Sequence, residues 1–319
     1  MNLLVADVGG TNTRIALFHK GGAMAHVGRY QNADHASFYE VLEKYAANRD
    51  LSQVTTCCVA VAGPVTSDCA RLTNRGWKVD ANGIAAVIPS LSAGSVLLAN
   101  DLVALGYALP DLAPAQMSLI RASRDPGLAN HQQLVVGMGT GFNICVVKSD
   151  RGPPVVIEAE LGHASLPSTV GAALSDALGS KAARLKTYED ALSGRALPWL
   201  YRQFSDGKVL TGSEILTAYD PARRDAATRS VDLAAHILGM VVRELVFVYL
   251  PFGGIHFAGG VARGLLGSPA GDVFLTAFQS RGPMDEQVAL VPLHLITDDA
   301  AGLLGAANFA RSKARNPLT

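Results

Sequence analysis

Apolar runs alternate with helix-like segments along the first third of the chain. Residues 3–18 contain two apolar runs joined by a glycine pair, which predicts a strand, a turn and a second strand. Residues 37–47 have apolar side chains at helical spacing, and residues 55–62 form an apolar strand closed by Gly-Pro. A further strand at residues 95–99 leads into a helix that runs through Leu109. This alternation predicts an α/β fold with a largely parallel sheet.

The opening pattern returns at residues 134–147, again as strand, glycine turn and strand. At an offset of 130 residues the aligned pairs are Asp7 with Gly137, Gly9 with Gly139, and Thr11 with Gly141. Two glycine hairpins can resemble each other by chance. Because the apolar flanks also agree, we interpret the repeat as an internal duplication.

The last third of the chain is rich in helix-like spacing. Asp220 and Pro221 have the residue types of an N-cap and a first helical position, which predicts a long helix from there to about Tyr249. A short buried strand at residues 254–258 follows and closes on a double glycine. A final helix begins near residue 300.

The length of 319 residues favours two domains of roughly 150 residues each. A proline-rich stretch begins at Pro110, so we expect the boundary there. Residues 1–109 would form a smaller domain, with the helical segment 300–319 packed back on it. Residues 110–299 would form the larger one.

The composition suits a globular protein, with 49% hydrophobic and 17% charged residues. Lys plus Arg and Asp plus Glu both number 27, which argues against nucleic acid or an anionic membrane as a partner. The apolar stretch from His236 to Tyr249 is interrupted by Arg243 and Glu244, so it does not predict a membrane span. Cys57 and Cys58 are neighbours on an apolar strand, typical of buried free thiols in a reducing compartment. With no leader pattern at the start, we expect a cytoplasmic protein.

Three glycine turns, each directly after an apolar strand, suit a bound phosphate. Glycines permit positive φ and let backbone amides approach an anion closely. A single such turn is usually only a tight hairpin, but three together favour a nucleotide site. Neither the P-loop nor the dinucleotide-binding glycine signature is present. The candidate nucleotide-binding residues are Asp7, Gly9, Gly10, Thr11, Asn12, Gly139, Thr140, Gly141, Gly259 and Gly260.

Acidic residues at the ends of two strands are candidates for chemistry. Asp7 either caps its turn or orients water on a Mg²⁺ ion that bridges ATP phosphates. Asp101 follows a strand where open parallel sheets present ligands, so it is the candidate general base for phosphoryl transfer to an alcohol. The alternative is that Asn100 and Asp101 only cap the next helix. From position alone, both interpretations stay open.

Further polar residues can contact sugar hydroxyls. Glu160, His163 and Glu189 supply two carboxylates and an imidazole, which would reject sugars that lack the matching hydroxyl. Alternatively, Glu189 is a solvated charge and His163 a structural histidine. Asn74, in the segment Leu-Thr-Asn-Arg-Gly-Trp, is either another ligand or a turn residue.

Taken in order, these segments resemble the bacterial glucokinase family from residue 3 to about residue 307. The matching pieces are residues 7–12, 62–65, 72–77, 100–101, 139–141, 160–163, 188–194 and 258–260. The resemblance implies two ribonuclease-H-like domains of the actin/hexokinase type with a ligand cleft between them. It implies that Asn100, Asp101, Glu160, His163 and Glu189 hold glucose, with Asp101 as the base at the 6-hydroxyl. It further implies Mg²⁺ and ATP as cofactors, and a homodimer.

Two departures from the family pattern bear on these expectations. Leu161 stands where the family has glycine, which stiffens the loop and bears on sugar stringency. The cysteine-rich zinc motif of the related repressor–kinase branch is missing, so we expect no structural zinc and no regulator role. The alternatives are another hexose (fructose, mannose or an N-acetylhexosamine), another phosphoryl donor (polyphosphate or ADP), or a non-catalytic sugar-responsive regulator.

Overall fold

The computed structural model describes residues 2–19, 22–73, 75–150, 152–280, 282 and 284–315. The strands are β1 (Leu3–Val8), β2 (Asn12–Phe18), β3 (Met24–Gln31), β4 (Thr56–Val61), β5 (Cys69–Arg71), β6 (Lys78–Asp80), β7 (Val96–Asn100), β8 (Met117–Arg121), β9 (Gln132–Met138), β10 (Phe142–Lys148), β11 (Val155–Glu158), β12 (Gly254–Ala258) and β13 (Leu293–Ile296). The helices are α1 (Phe38–Ala46), α2 (Ala81–Val87), α3 (Asp101–Ala108), α4 (Ser168–Leu178), α5 (Tyr188–Leu192), α6 (Ala196–Phe204), α7 (Gly212–Ala218), α8 (Ala226–Tyr249), α9 (Gly260–Leu266), α10 (Ala270–Phe278), α11 (Asp285–Leu290) and α12 (Ala301–Arg315).

The chain divides into two compact units. The first unit comprises Met1–Leu112, Arg151–Val156 and Asp298–Thr319. The second unit comprises Ala113–Asp150 and Ile157–Thr297. Strand β11 spans the point at which the chain passes from one to the other.

The first unit is built on a sheet in the order β3-β2-β1-β4-β7. Strands β1, β2 and β3 pair antiparallel, whereas β4 pairs parallel to both β1 and β7. Nearly all side chains of β1 and β4 are buried, because helices cover both faces of the sheet. Helices α1 and α2 contribute Phe38, Leu42 and Ile84 to the core on one side. Helices α3 and α12 contribute small and aliphatic residues on the other side.

The second unit repeats this plan. Its sheet has the order β11-β10-β9-β12-β13-β8, with an antiparallel pair β9–β10 followed by the parallel strands β12 and β13. The succession β10-β9-β12-β13 therefore corresponds to β2-β1-β4-β7 of the first unit. Strand β8 pairs antiparallel with β13 at the far edge. The shared strand order supports the internal duplication.

The strand register corrects one detail of that alignment. Val8 faces Thr13 across the first turn, and Met138 faces Phe142 across the second. Met138 follows Val8 by 130 residues, but Phe142 follows Thr13 by only 129, so the second turn is one residue shorter. The Gly9 amide donates to the Asn12 carbonyl oxygen, and the Gly139 amide donates to the Gly141 carbonyl oxygen. Gly141 therefore corresponds to Asn12, and its equivalence with Thr11 was wrong.

The start of the long helix α8 also differs from the prediction. Its N-cap is Asp225, whose side chain accepts a hydrogen bond from the Thr228 amide over 3.0 Å. Asp220 instead forms a local turn in which it accepts from the Ala222 amide over 3.0 Å. Both aspartates are good caps, and spacing alone does not choose between them. The helix ends before Pro251, with Leu250 in the left-handed region at φ 43°.

Burial accounts for two other features. Cys57 and Cys58 are buried free thiols, and burial raises the pKa of Cys57 to about 12. Although α8 has 24 residues, no helix in the described part of the chain is long and apolar enough to cross a membrane.

Candidate active site

The carboxyl ends of the parallel strands meet at one edge of the first unit's sheet. Val8 at the end of β1 is in register with Val61 on β4, and Val61 is in register with Asn100 on β7. The first glycine turn and the Asn100–Asp101 pair therefore begin at the same edge of one sheet. Open parallel sheets bind their ligands at this edge.

Asp101 is the first residue of α3 and is half-buried. The Leu102 amide donates to Asn100 Oδ1 over 2.9 Å and to Asp101 Oδ1 over 3.0 Å, so both side chains cap the helix. Asn100 also donates from Nδ2 to the Gly63 carbonyl oxygen over 3.2 Å. The capping interpretation of this pair is therefore realised. It does not conflict with proton transfer at Asp101, since each carboxylate oxygen has two lone pairs and can accept more than one hydrogen bond.

The first glycine turn is stabilised by Asn32, a residue that the sequence analysis did not identify as a candidate. Within the turn, the Gly9 amide donates to the Asn12 carbonyl oxygen over 3.0 Å. Asn32, fully buried after β3, donates from Nδ2 to the Gly9 carbonyl oxygen and accepts from the Thr13 hydroxyl, both over 2.8 Å. The Asn32 amide bonds the Thr11 carbonyl oxygen, also over 2.8 Å. Asn32 thus supports the shape of this turn through both its side chain and its backbone.

Asp7 does not cap its turn. It faces Arg14 across β1 and β2, and Arg14 Nη1 lies 3.5 Å from Asp7 Oδ2. Arg14 also contacts Asp299 over 3.5 Å, and Arg29 contacts Asp299 over 3.6 Å. Burial raises the pKa of the Asp7 carboxyl above its ordinary value, and the Arg14 charge opposes that rise. A Cβ on Gly302 would lie 2.8 Å from Asp7 Oδ2, so α12 closes over this carboxylate.

In the second unit, the other two glycine turns lie side by side. Ala258 at the end of β12 is in register with Gly137 on β9. Gly259 has φ 101°, and a Cβ there would lie 2.4 Å from the Met138 carbonyl oxygen. The Gly194 amide donates to the Gly139 carbonyl oxygen over 2.7 Å. Three backbone segments therefore meet at this edge of the sheet.

Positive φ is needed at only some of these glycines. Gly259 has positive φ, whereas Gly9, Gly139 and Gly141 do not. Close approach explains two of these: a Cβ on Gly9 would lie 3.3 Å from the Asn12 carbonyl oxygen, and one on Gly141 only 2.7 Å from Glu189 Oε2. Glycine permits positive φ at these turns, but Gly9 and Gly141 serve close approach instead.

The structure ties Glu189 to the second glycine turn. Its Oε2 accepts from the Phe142 amide over 3.3 Å, and its Oε1 pairs with Arg195. The Glu189 side chain is only 20% exposed, so it is not the solvated charge that its place beside Asp190 suggested. Arg195 was missed because nothing in its spacing connects it with Glu189.

Glu160 and His163 lie on one short loop of the second unit. Glu160 precedes a single 3₁₀ turn, Leu161–His163, and both side chains are exposed. Asn143 on β10 donates from Nδ2 to Glu160 Oε2 over 3.1 Å. Asn143 also escaped the sequence analysis, although it is a polar residue at the start of an otherwise apolar strand. Asn74, the remaining candidate sugar ligand, lies outside the described residues.

The side chains near the first glycine turn decide whether the implied Mg²⁺ could be held there. Among the described residues, no group of three or more His, Cys, Asp or Glu side chains could hold a metal ion. Mg²⁺ in kinases is usually held by one or two carboxylates together with water and substrate phosphates. Asp7, a single carboxylate just before an amide-lined turn, fits that mode. The residues therefore fit a metal that arrives with the nucleotide.

Comparison with known proteins identifies the family of this chain. The sequence profile of the Glucokinase family matches residues 4–313. A glucokinase of Yersinia pestis is 31% identical over 326 residues, which cover 97% of this chain and 96% of that protein. A glucokinase from an Antarctic psychrotroph has a crystal structure that is 25% identical, with a TM-score of 0.76 over 98% of this chain and 99% of that one.

A third likeness extends to a more distant branch. A ROK family glucokinase from Streptomyces griseus, solved in complex with glucose and AMPPNP, is 18% identical, with a TM-score of 0.63 over 98% of this chain and 100% of that one. These likenesses confirm the predicted α/β fold of the actin/hexokinase type. The family profile covers almost the whole chain and the fold agrees with it, so this protein belongs to the Glucokinase family and is a hexose kinase.

Proposed function

We propose that this kinase transfers the γ-phosphoryl group of ATP to the 6-hydroxyl of glucose, giving glucose 6-phosphate and ADP. Asp101 is the general base that takes the hydroxyl proton as the new P–O bond forms and the bond to ADP breaks. The observation that supports this most is the shared sheet edge, where Asp101 and the first glycine turn both follow parallel strands of one unit. The Streptomyces griseus relative was solved with glucose and an ATP analogue, which supports the same pair of substrates.

Roles for the other residues follow from their chemistry. Asn100, Glu160, His163 and Glu189 would hold the sugar hydroxyls together with Asp101, and Asn74 would be a further sugar ligand. The backbone amides of the turns at Gly9–Asn12, Gly139–Gly141 and Gly259–Gly260 would bind phosphate oxygens. A site that buries matched polar groups discriminates strongly against sugars that lack a hydroxyl.

Mg²⁺ completes the proposal. When bound with ATP, the ion neutralises charge on the phosphate oxygens and so favours transfer. Asp7 would hold it through water. The Arg14 guanidinium, 3.5 Å from Asp7, would keep this carboxylate in a fixed orientation.

The proposal is tested by its products. Purified protein with Mg²⁺-ATP should release ADP in the presence of glucose, and ³¹P NMR should locate the phosphate on the 6-hydroxyl. A panel of glucose, fructose, mannose and N-acetylhexosamines, each with its kcat/KM, should rank glucose first. A higher kcat/KM for another hexose would reassign the substrate. ADP release that no hexose stimulates, together with a sugar-dependent gel shift on DNA, would favour a regulator.

Polyphosphate and ADP are alternative donors, and each can be supplied in place of ATP in the same assay. Phosphorylation of glucose with either donor at a rate above that with ATP would overturn the assignment of ATP.

A cytoplasmic homodimer is also part of the proposal. Cell fractionation and sedimentation equilibrium test its location and its mass.

A further inference from the structure

The Asn143 side chain forms hydrogen bonds with Glu160 and with both residues next to it in the chain. Its Oδ1 accepts from the Leu161 amide over 2.9 Å, and its Nδ2 donates to the Ala159 carbonyl oxygen over 2.7 Å. The same Nδ2 lies 3.1 Å from Glu160 Oε2. The carboxamide therefore bonds the peptide groups on both sides of Glu160 and also its carboxylate.

The same strand end also holds Glu189. The amide of Phe142, the residue before Asn143, donates to Glu189 Oε2 over 3.3 Å. Gly162 lies close to both Phe142 and Glu189: a Cβ at this glycine would lie 2.1 Å from the Phe142 carbonyl oxygen and 3.6 Å from Glu189 Cβ. Two candidate sugar ligands are thus attached to consecutive residues at the start of β10.

Glu160 needs such support because its side chain is exposed and long. An exposed glutamate samples several rotamers, and ordering it when a sugar binds costs free energy. A partner that fixes the carboxylate beforehand reduces that cost, so the sugar binds more tightly. Asn143 supplies this partner from a strand whose next four residues, Ile144 to Val147, are buried.

We propose that Asn143 is a positioning residue that orients the Glu160 carboxylate toward the hexose. This inference rests on the proposed function, in which Glu160 is a hexose ligand. Asn143 acts on the sugar only through Glu160 and its loop, so its loss should weaken hexose binding and leave ATP binding unchanged.

Two variants test the inference by steady-state kinetics with glucose and ATP. Asn143→Leu removes both the donor and the acceptor at similar size. Asn143→Asp keeps the acceptor for the Leu161 amide but loses the donor and places a negative charge against Glu160. Because hydrogen bonds to charged groups are the stronger ones, we expect the KM for glucose to rise about tenfold in the first variant and further in the second. The KM for ATP should stay within about twofold of the wild-type value. None of the hydrogen bonds of the Asn143 side chain described above is made to a residue proposed to bind ATP.

Asn130→Leu is the matched control. Asn130 is also a carboxamide that bonds backbone on two sides: it donates to the Leu250 carbonyl oxygen over 2.9 Å and accepts from the Gln132 amide over 3.0 Å. Neither contact involves a candidate site residue. This control variant should keep the wild-type KM for glucose. An unchanged KM for glucose in Asn143→Asp, or an equal rise in Asn130→Leu, would overturn the inference.

A double-mutant cycle separates this inference from the proposed function. If Asn143 acts through Glu160, most of the loss of kcat/KM for glucose in Asn143→Leu should vanish in a Glu160→Ala background. A loss of full size in that background would contradict the inference while leaving Glu160 as a ligand. If Glu160→Ala itself keeps the wild-type kcat/KM for glucose, the proposed sugar site is wrong.

Discussion

Asn32 donates a hydrogen bond from Nδ2 to the carbonyl oxygen of Gly9 over 2.8 Å. The donor is fully buried and 23 residues away from the acceptor along the chain. Its Oδ1 also accepts from the Thr13 hydroxyl. The turn proposed to bind phosphate therefore depends on a buried carboxamide that faces the protein interior.

Replacing Asn32 with alanine should impair ATP binding selectively. The change leaves the Gly9 carbonyl and the Thr13 hydroxyl without their buried partner, which should destabilise the first unit by about 1–3 kcal/mol. The turn would then be ordered only when ATP binds, and the free energy spent on ordering it weakens ATP binding. The KM for ATP should therefore rise about tenfold or more, while the KM for glucose should stay nearly unchanged. Initial-rate kinetics with each substrate varied in turn checks this.

Asn308→Ala provides the control for that variant. Asn308 donates to the Tyr107 carbonyl oxygen over 3.1 Å and to Asp111 Oδ2 over 2.8 Å within the first unit, and neither partner belongs to a glycine turn. It should lose stability without a change in the KM for ATP. Equal rises in the two variants would show that Asn32 acts only through general stability.

Stability should fall in mild acid because of His256. Neither ring nitrogen of this histidine has a hydrogen-bond partner among the described residues, and burial, with His294 nearby, lowers its pKa to about 3. The unfolded chain takes up the proton near pH 6.5, whereas the folded protein does not, so stability is lost as the pH falls from about 6.5 towards 3. At pH 5 the free energy of unfolding should be lower than at pH 8 by about 2 kcal/mol from this group alone.

Urea unfolding of the wild type and of His256→Leu at both pH values measures this effect. The variant should show a smaller difference between pH 5 and pH 8, with the remainder due to other groups such as His294, whose pKa burial also lowers. The same difference in both proteins would contradict the assignment.

Gly305 allows α12 to pack closely against α3. A Cβ at this position would lie 1.7 Å from the Ala104 carbonyl oxygen, and backbone atoms cannot move aside easily. Gly305→Ala should therefore destabilise the first unit by about 3 kcal/mol, as overpacking in a core does. Differential scanning calorimetry should show a lower Tm.

Gly171→Ala is the matched control, since Gly171 lies within α4 and a Cβ there would have nothing within 4 Å. Alanine should stabilise this helix by about 0.5–1 kcal/mol, because glycine is the poorer helix former. A lowered Tm in both variants would mean that close packing does not explain Gly305.

The sequence predicted the elements whose signal is local. The apolar run at residues 55–62 is the strand Thr56–Val61, and the helical spacing at 37–47 is the helix Phe38–Ala46, capped by Ser37. The sequence analysis took Asp220 as the N-cap of α8, but Asp225 caps it, and the two aspartates are equally good caps by residue type. The position of Thr11 relative to Gly141 depended on a turn length that a fixed offset does not reveal.

The same distinction applies to the candidate site. Asp7 and Asp101 can be found from sequence because Asp7 lies near the end of one apolar strand and Asp101 directly follows another, and a sheet brings such strand ends to one edge. Asn32 and Asn143 cannot, because their partners Gly9 and Glu160 are 23 and 17 residues away and no periodic pattern connects them. Supporting residues of this kind become visible only when the backbone is folded.

The most direct test of the proposed reaction is the turnover of Asp101→Asn. The asparagine keeps an oxygen that can accept from the Leu102 amide, so the start of α3 should remain intact while the proton acceptor is lost. Asp80→Asn, a change at the N-cap of α2 that accepts from Gly83, is the control. We expect kcat to fall about 10²- to 10⁴-fold in Asp101→Asn, with glucose still bound in calorimetry and the control unaffected. A kcat within a few-fold of the wild-type value would contradict the role of Asp101 as the base.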